Sequence, residues 1–161
     1  FGVSEPLAFL RVAILLIFVQ TLSGFLSIFS EIKTKPAIYS KNDFQFAKKI
    51  REKTKSDAIF LAYPSHNNPI VSLAGRKLFY GYPGFLWVHG IKYQQREEIQ
   101  KIIYSGGKTA EKLIKENNLQ YVFLSAAEKS HYKINDSFLN KFPKVLETNN
   151  WTLYNLKRDE D

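Results

Sequence analysis

Two loop-like stretches hold the side chains of this chain best suited to binding chemistry. The first is His66-Asn67-Asn68-Pro69, with Arg76 a short interval beyond it. An imidazole and two amides can hydrogen-bond a hydroxyl-rich group, and a guanidinium can pair with phosphate or a carboxylate. The second is Gly81-Tyr82-Pro83-Gly84-Phe85-Leu86-Trp87-Val88-His89-Gly90. Its glycines and proline demand special backbone angles, and Phe85, Trp87 and His89 alternate with apolar residues. Such a loop suits clamping a sugar ring or dipping into a membrane interface. Arg96 offers a second guanidinium. Each feature also has a plain structural use. Asn in a turn bonds its own backbone, Trp87 fits a loop folded over a sheet edge as core, and Arg96 with Glu97 suits a solvated helix face.

Other chemistry is excluded or weak. His66, His89 and His131 are 23 and 42 residues apart and lack the close spacing of metal ligands, so no metal and no cofactor is expected. Glu97 and Glu98 are adjacent on a predicted helix and point in different directions, which argues against shared acid–base work. Gly106-Gly107-Lys108-Thr109 ends like a phosphate-binding loop, but position 101 is Lys where that motif needs Gly, and the stretch follows a helix. No nucleophile elbow and no dinucleotide fingerprint occurs. No catalytic residue is therefore assigned. Asn135-Asp136-Ser137 and Asn150-Trp151-Thr152 are glycosylation sequons, which matter only in a secretory or archaeal setting. Without cysteine, neither a disulfide framework nor a thiolate site is possible. The net charge of +8 suits anionic partners such as phospholipid headgroups. No nucleic-acid motif accompanies it, and the lysines are spread along the chain, so no nucleic acid is expected as a partner.

The elements that must position these loops follow from hydropathy. Residues 12–29, VAILLIFVQTLSGFLSIF, form an apolar run close to the roughly 20 helical residues that cross a ~30 Å hydrocarbon core. Gln20, Thr21, Ser23 and Gly24 within it suit packing against other membrane helices. The expected organisation is a transmembrane helix over 7–31, a linker over 32–41, a soluble α/β domain over 42–157 and a charged tail over 158–161. Lys33 and Lys35 suit the helix C-terminus, and Pro36 ends it. The opening FGVSEP, with no Met anywhere, reads as a piece of a longer protein.

Beyond the linker, Asn42-Asp43 caps a short helix with Phe46, Ala47 and Ile50 on one face. Buried strands are expected over 58–63, 77–82 and 121–125. Between them, 83–90 reads as a loop, and helices are expected over 92–104, with Ile99, Ile102 and Ile103 inward, and over 108–116. A short helix over 136–142 and a hairpin turning at Thr148-Asn149-Asn150 complete the pattern. The fold class is α/β: a small, mostly parallel sheet flanked by helices, with a C-terminal hairpin, preceded by one transmembrane helix. In such sheets ligands gather at the carboxyl ends of the strands, where His66-Asn67-Asn68-Pro69 falls.

Residues 58–154 resemble the C-terminal water-facing domain of polytopic membrane glycosyltransferases of the GT-C superfamily, related to lipid-linked-sugar mannosyltransferases. The resemblance runs in order through His66-Asn67-Asn68-Pro69, Leu73-Ala74-Gly75-Arg76, Gly81-Tyr82-Pro83-Gly84-Phe85-Leu86-Trp87 with His89-Gly90, Tyr93, Arg96-Glu97, Ile103-Tyr104, Tyr121-Val122-Phe123, Glu128, Asn135, Phe138, Phe142-Pro143 and Tyr154. Phe85 stands where that pattern has Trp. The resemblance implies an accessory domain on the extracytoplasmic side, touching membrane lipid and the remaining transmembrane helices of the same protein. It further implies contact with an acceptor or a polyprenyl-phosphate-linked sugar through His66, Asn67, Asn68, Arg76, Trp87, His89, Arg96 and Glu128. The catalytic acid of such enzymes lies in an early loop outside this chain. Two other readings compete: a soluble α/β module binding a small anionic ligand, and a non-catalytic structural domain of a membrane assembly.

Overall fold

The computed structural model describes residues 5–33 and 38–157, which divide between two units, Phe1–Ile38 and Tyr39–Asp161. The expected stop at Thr34-Lys35-Pro36 and the tail 158–161 lie outside the described residues.

The first unit is a single helix, α1 (Glu5–Lys33). At about 1.5 Å per residue its 29 residues extend roughly 43 Å, longer than a ~30 Å hydrocarbon core. It is long and apolar enough to cross a membrane, and its apolar window is not buried. The hydroxyls of Thr21 and Ser23 are satisfied within the helix. Thr21 Oγ1 donates to the carbonyls of Ile17 and Phe18 at 2.9 and 3.1 Å, and Ser23 Oγ donates to Gln20 O at 3.1 Å. Their polarity is therefore compatible with an apolar surround.

The second unit opens with α2 (Lys41–Lys53), capped by Ser40 rather than by Asn42-Asp43. Asp43 N donates to Ser40 Oγ at 3.2 Å and Ser40 N donates to Asp43 Oδ2 at 2.7 Å, a reciprocal capping box. There follow β1 (Ile59–Leu61), α3 (Pro69–Ser72), β2 (Lys77–Leu78), α4 (Pro83–Val88), α5 (Gln94–Ser105) and α6 (Lys108–Glu116). The chain ends with β3 (Tyr121–Ser125), α7 (Ala126–His131), α8 (Asp136–Leu139), β4 (Lys144–Glu147) and β5 (Trp151–Asn155). The sheet order is β2-β1-β3-β5-β4.

The sheet is mixed, which corrects the expectation of a mostly parallel one. β1 pairs parallel with β2 and β3, whereas β5 pairs antiparallel with both β3 and β4. The hairpin's second arm takes the inner position because it is apolar on both faces, with Leu153 and Tyr154 buried. The first arm begins and ends on Lys144 and Glu147 and takes the edge, where charge discourages further pairing. Register then sorts the core. Val122 lies opposite Tyr154, both facing Ile103, Tyr104 and Ile114 from α5 and α6. Phe123 lies opposite Leu153, both facing Phe46 and Ile50 from α2. Helices thus cover both faces.

Several elements differ from expectation. The first strand is Ile59–Leu61 and the second only Lys77–Leu78; after a last bond from Phe79 N to Phe60 O at 2.9 Å the chain bends at Phe79 and Tyr80. The stretch read as a loop contains α4, and α7 was not foreseen. On α5, Gln100 and Tyr104 turn inward with Ile103, and Ile102 faces out.

The α5–α6 corner generates a test. Gly106 and Gly107 adopt φ +78° and +98°, which L residues avoid. A Cβ on Gly106 would also meet Phe138 at 2.7 Å, whereas one on Gly107 meets nothing within 4 Å. Both G106A and G107A should destabilise through backbone strain of ~1–3 kcal/mol. G106A should cost a further ~1–3 kcal/mol for overpacking against buried Phe138. Denaturant midpoints of the two variants check the difference; equal losses would mean that Phe138 gives way freely.

Candidate functional site

The carboxyl ends of β1, β2 and β3 lie on one edge of the sheet, and the chain leaves them towards different faces. From β1 it passes to α3, whose Ile70 joins the core beneath α2. From β3 it passes through α7 to α8, whose Phe138 and Leu139 join the opposite core. Such divergence opens a crevice between neighbouring strands, the usual ligand position. Here a side chain fills it. Glu128, only 1% exposed, accepts from Tyr63 N through Oε1 at 2.7 Å and from Ser125 N through Oε2 at 2.8 Å. Ser125 Oγ donates to the same Oε2. The carboxyl group ties the end of β1 to the end of β3 and caps α7.

Two other sequence candidates are used in the same way. Asn68 caps α3, accepting from Ile70 N and donating to Tyr63 O, both at 2.9 Å. Arg76 closes the C-terminus of α2: its guanidinium donates to the carbonyls of Arg51, Thr54 and Ala74 and to Thr54 Oγ1. The Arg51 and Thr54 carbonyls are among those left over where α2 stops.

The remaining candidates are accessible. His66 and Asn67 form the tip of the loop after β1, with His66 Nδ1 2.9 Å from Asn67 Oδ1. The His66 ring meets Tyr82 and Phe85 at 5.1 and 5.0 Å, and those two rings lie 5.3 Å apart. This aromatic triad joins the loops that follow β1 and β2. Arg96, at the start of α5, donates to Phe79 O at 3.2 Å and lies over the Phe79 ring, with no carboxylate partner among the described residues. Trp87 and His89 are exposed, so Trp87 is not core. Glu97 and Glu98 both reach Lys101 Nζ, at 3.2 and 2.8 Å, as exposed helix pairs. Among the described residues no cluster of three His, Asp or Glu side chains could hold a metal ion.

Beneath this edge lies a group of tyrosines that the sequence reading missed. Tyr104 stacks on Tyr132 at 4.7 Å, Tyr63 on His131 at 4.0 Å and Tyr80 on Tyr93 at 5.8 Å. Fully buried Gln100 donates through Nε2 to Ala62 O and Tyr132 Oη at 3.0 and 2.8 Å, which leaves its Oε1 without a donor. Burial, reinforced by nearby Glu97, pushes the Tyr80 phenol up to about 12. Burial also raises Tyr104 and Tyr132 well above the usual range. The i, i+4 spacing of Gln100 and Tyr104 on α5 was the available signal, masked by the apolar Ile102-Ile103 pair.

A separate open cleft of about 560 Å³ lies at the opposite edge of the sheet, lined by Ile114, Lys115, Asn118, Leu119 and Lys157 among others. None of the sequence candidates lines it. Compared with known proteins, the chain matches no family model and no curated sequence.

Two measurements test this geometry. In E128Q an amide N–H₂ must face a backbone N–H, and a stability loss of ~1–3 kcal/mol is expected from denaturant unfolding. Unchanged stability would show that the crevice is held otherwise. Tyr80 is raised in the fold, so the unfolded state loses its proton first as pH climbs past 10. Stability should therefore be intact below pH 10 and fall towards about 12, and the fall should be shallower in Y80F, as read by thermal midpoints against pH.

Proposed function

We propose that this chain is the membrane-anchored, water-facing accessory domain of a membrane glycosyltransferase that uses a polyprenyl-phosphate-linked sugar. In this reading α1 spans the bilayer and the α/β unit lies on the extracytoplasmic side. The rim formed by the loops after β1 and β2 contacts the acceptor or the carrier. The observation that carries the reading is the His66–Tyr82–Phe85 triad at the strand ends of a unit that follows a span-competent helix. Aromatic rings offer a face for the C–H side of a sugar, and His66 with Asn67 offers donors and acceptors for its hydroxyls. Arg96 has guanidinium N–H groups free for a phosphate, beyond the one that bonds Phe79 O. The ordered resemblance to the GT-C accessory domains supplies the substrate class. No group in this chain is assigned to bond cleavage; in such enzymes that acid lies elsewhere.

One observation favours a second reading, a purely structural domain of the same membrane assembly. Asn68, Arg76 and Glu128 are committed to backbone groups and hold the fold. Transfer of labelled sugar from its polyprenyl phosphate, assayed in the complete membrane protein, separates the two. H66A and R96Q should each lower transfer about tenfold, the equivalent of one hydrogen bond to a charged group, with little change in thermal midpoint. Full transfer in both variants would leave the structural reading standing.

A further inference from the structure

Of the large apolar residues exposed within residues 39–157, Tyr82, Phe85, Trp87, Val88 and Ile91 fall in one ten-residue stretch. Phe44, Val71 and Ile102 are separated from them and from one another along the chain. Trp87 and Val88 are 74% and 70% exposed, the highest values among the large apolar residues of residues 39–157. Neither belongs to either core, and Trp87 makes no ring contact among the described residues. An apolar patch of this kind, held in water, marks a surface that is covered in use.

The patch is held rigidly. α4 begins on Pro83 at a position that needs no N–H. It ends in a Schellman motif: Gly90 takes φ +67°, Gly90 N donates to Trp87 O at 3.0 Å and Ile91 N donates to Leu86 O at 2.8 Å. Leu86 packs on the core and anchors the turn from below. Trp87, Val88 and Ile91 are thereby presented outward as a crest. Its immediate neighbours are His89 and Lys92, both exposed.

We propose that this crest inserts into the headgroup boundary of the bilayer that holds α1. The proposal rests on the part of the functional reading that puts α1 in lipid, and not on the sugar carrier. The chain from Lys33 to Ser40 reaches at most about 25 Å. A domain of ~120 residues has a radius of gyration near 14 Å, so it stays within one diameter of the membrane surface. A tethered domain needs only to rotate to place an apolar crest in the interface, without further cost of bringing the two together. The composition fits that depth. Trp favours the headgroup level, aliphatic Val88 and Ile91 reach below it, and Lys92 suits anionic headgroups, as does the chain's charge of +8.

The chain holds two tryptophans, and Trp151 packs edge-on against Phe46 within the core, so W151F leaves Trp87 as the sole reporter. The test places the full chain, α1 included, in vesicles of phosphatidylcholine and phosphatidylglycerol. Lipids brominated high on the acyl chain should quench Trp87, and aqueous iodide should quench it several-fold less than a free tryptophan analogue. In V88E/I91E iodide access should return. If W151F fails to fold, the difference between wild type and W87F isolates the same signal. Full iodide quenching of Trp87, with the chain still resisting alkaline carbonate extraction, overturns the crest while leaving the anchor. Protection from iodide without bromolipid quenching means a protein covers the crest and also overturns the proposal. Release by carbonate overturns crest and anchor together.

Discussion

The second unit depends on one buried carboxyl group. Where β1 and β3 end, their chains part towards opposite faces of the sheet, and the N–H groups of Tyr63 and Ser125 lose their strand partners. Buried N–H groups of that kind are costly when unpaired. Glu128 satisfies both, one oxygen to each strand end, and in doing so starts α7. The crevice that most open α/β sheets offer to a ligand is occupied here by the protein itself. The polar and aromatic side chains that stay accessible are displaced to the rim, on loops that the same carboxyl group indirectly positions through Tyr63.

That displacement explains the division of labour among the polar residues. Groups close to the sheet, Asn68, Arg76 and Glu128, are consumed by orphaned backbone at helix and strand ends. Groups one turn farther out, His66, Asn67 and Arg96, retain free hydrogen-bonding capacity. The aromatic residues divide similarly. Tyr104 and Tyr132 bury their rings and bond carbonyl or amide groups within the core. Tyr82 and Phe85 sit half-way out against His66, and Trp87 is fully outside. Polarity and exposure rise together from the sheet to the rim, and apolar character returns at the α4 crest.

Legibility in the sequence followed the range of the interactions involved. α6 and β3 match the bounds expected for them because each carries its own pattern: Ala110 and Ile114 on one helical face, and an unbroken apolar run from Tyr121 to Leu124. The second strand is shorter than its apolar run suggests because the chain bends at Phe79 and Tyr80, after a last bond from Phe79 N to Phe60 O at 2.9 Å, and both side chains pack under α5. α4 was hidden by its glycines and proline, which read as loop chemistry. Pro83 in fact starts the helix and Gly90 ends it. Of the site, the loops were visible in composition, but the roles of Arg76 and Glu128 were not. Their partners lie 22 to 25 and 65 residues away, as with Thr54 and Arg51 for Arg76 and Tyr63 for Glu128.

By itself the sequence determined the long apolar helix, the α/β class and the stretches where polar and aromatic side chains collect. These follow from hydropathy, periodicity and local backbone preference, which act within a few residues. Only the tertiary structure decided that the hairpin's second arm docks on β3 and makes the sheet mixed. It alone decided that Glu128 closes the crevice, and that Trp87 faces outward while Gln100 faces inward. Those outcomes turn on which distant backbone groups need a partner and which side chain lies within reach, and neither is written in neighbouring residues.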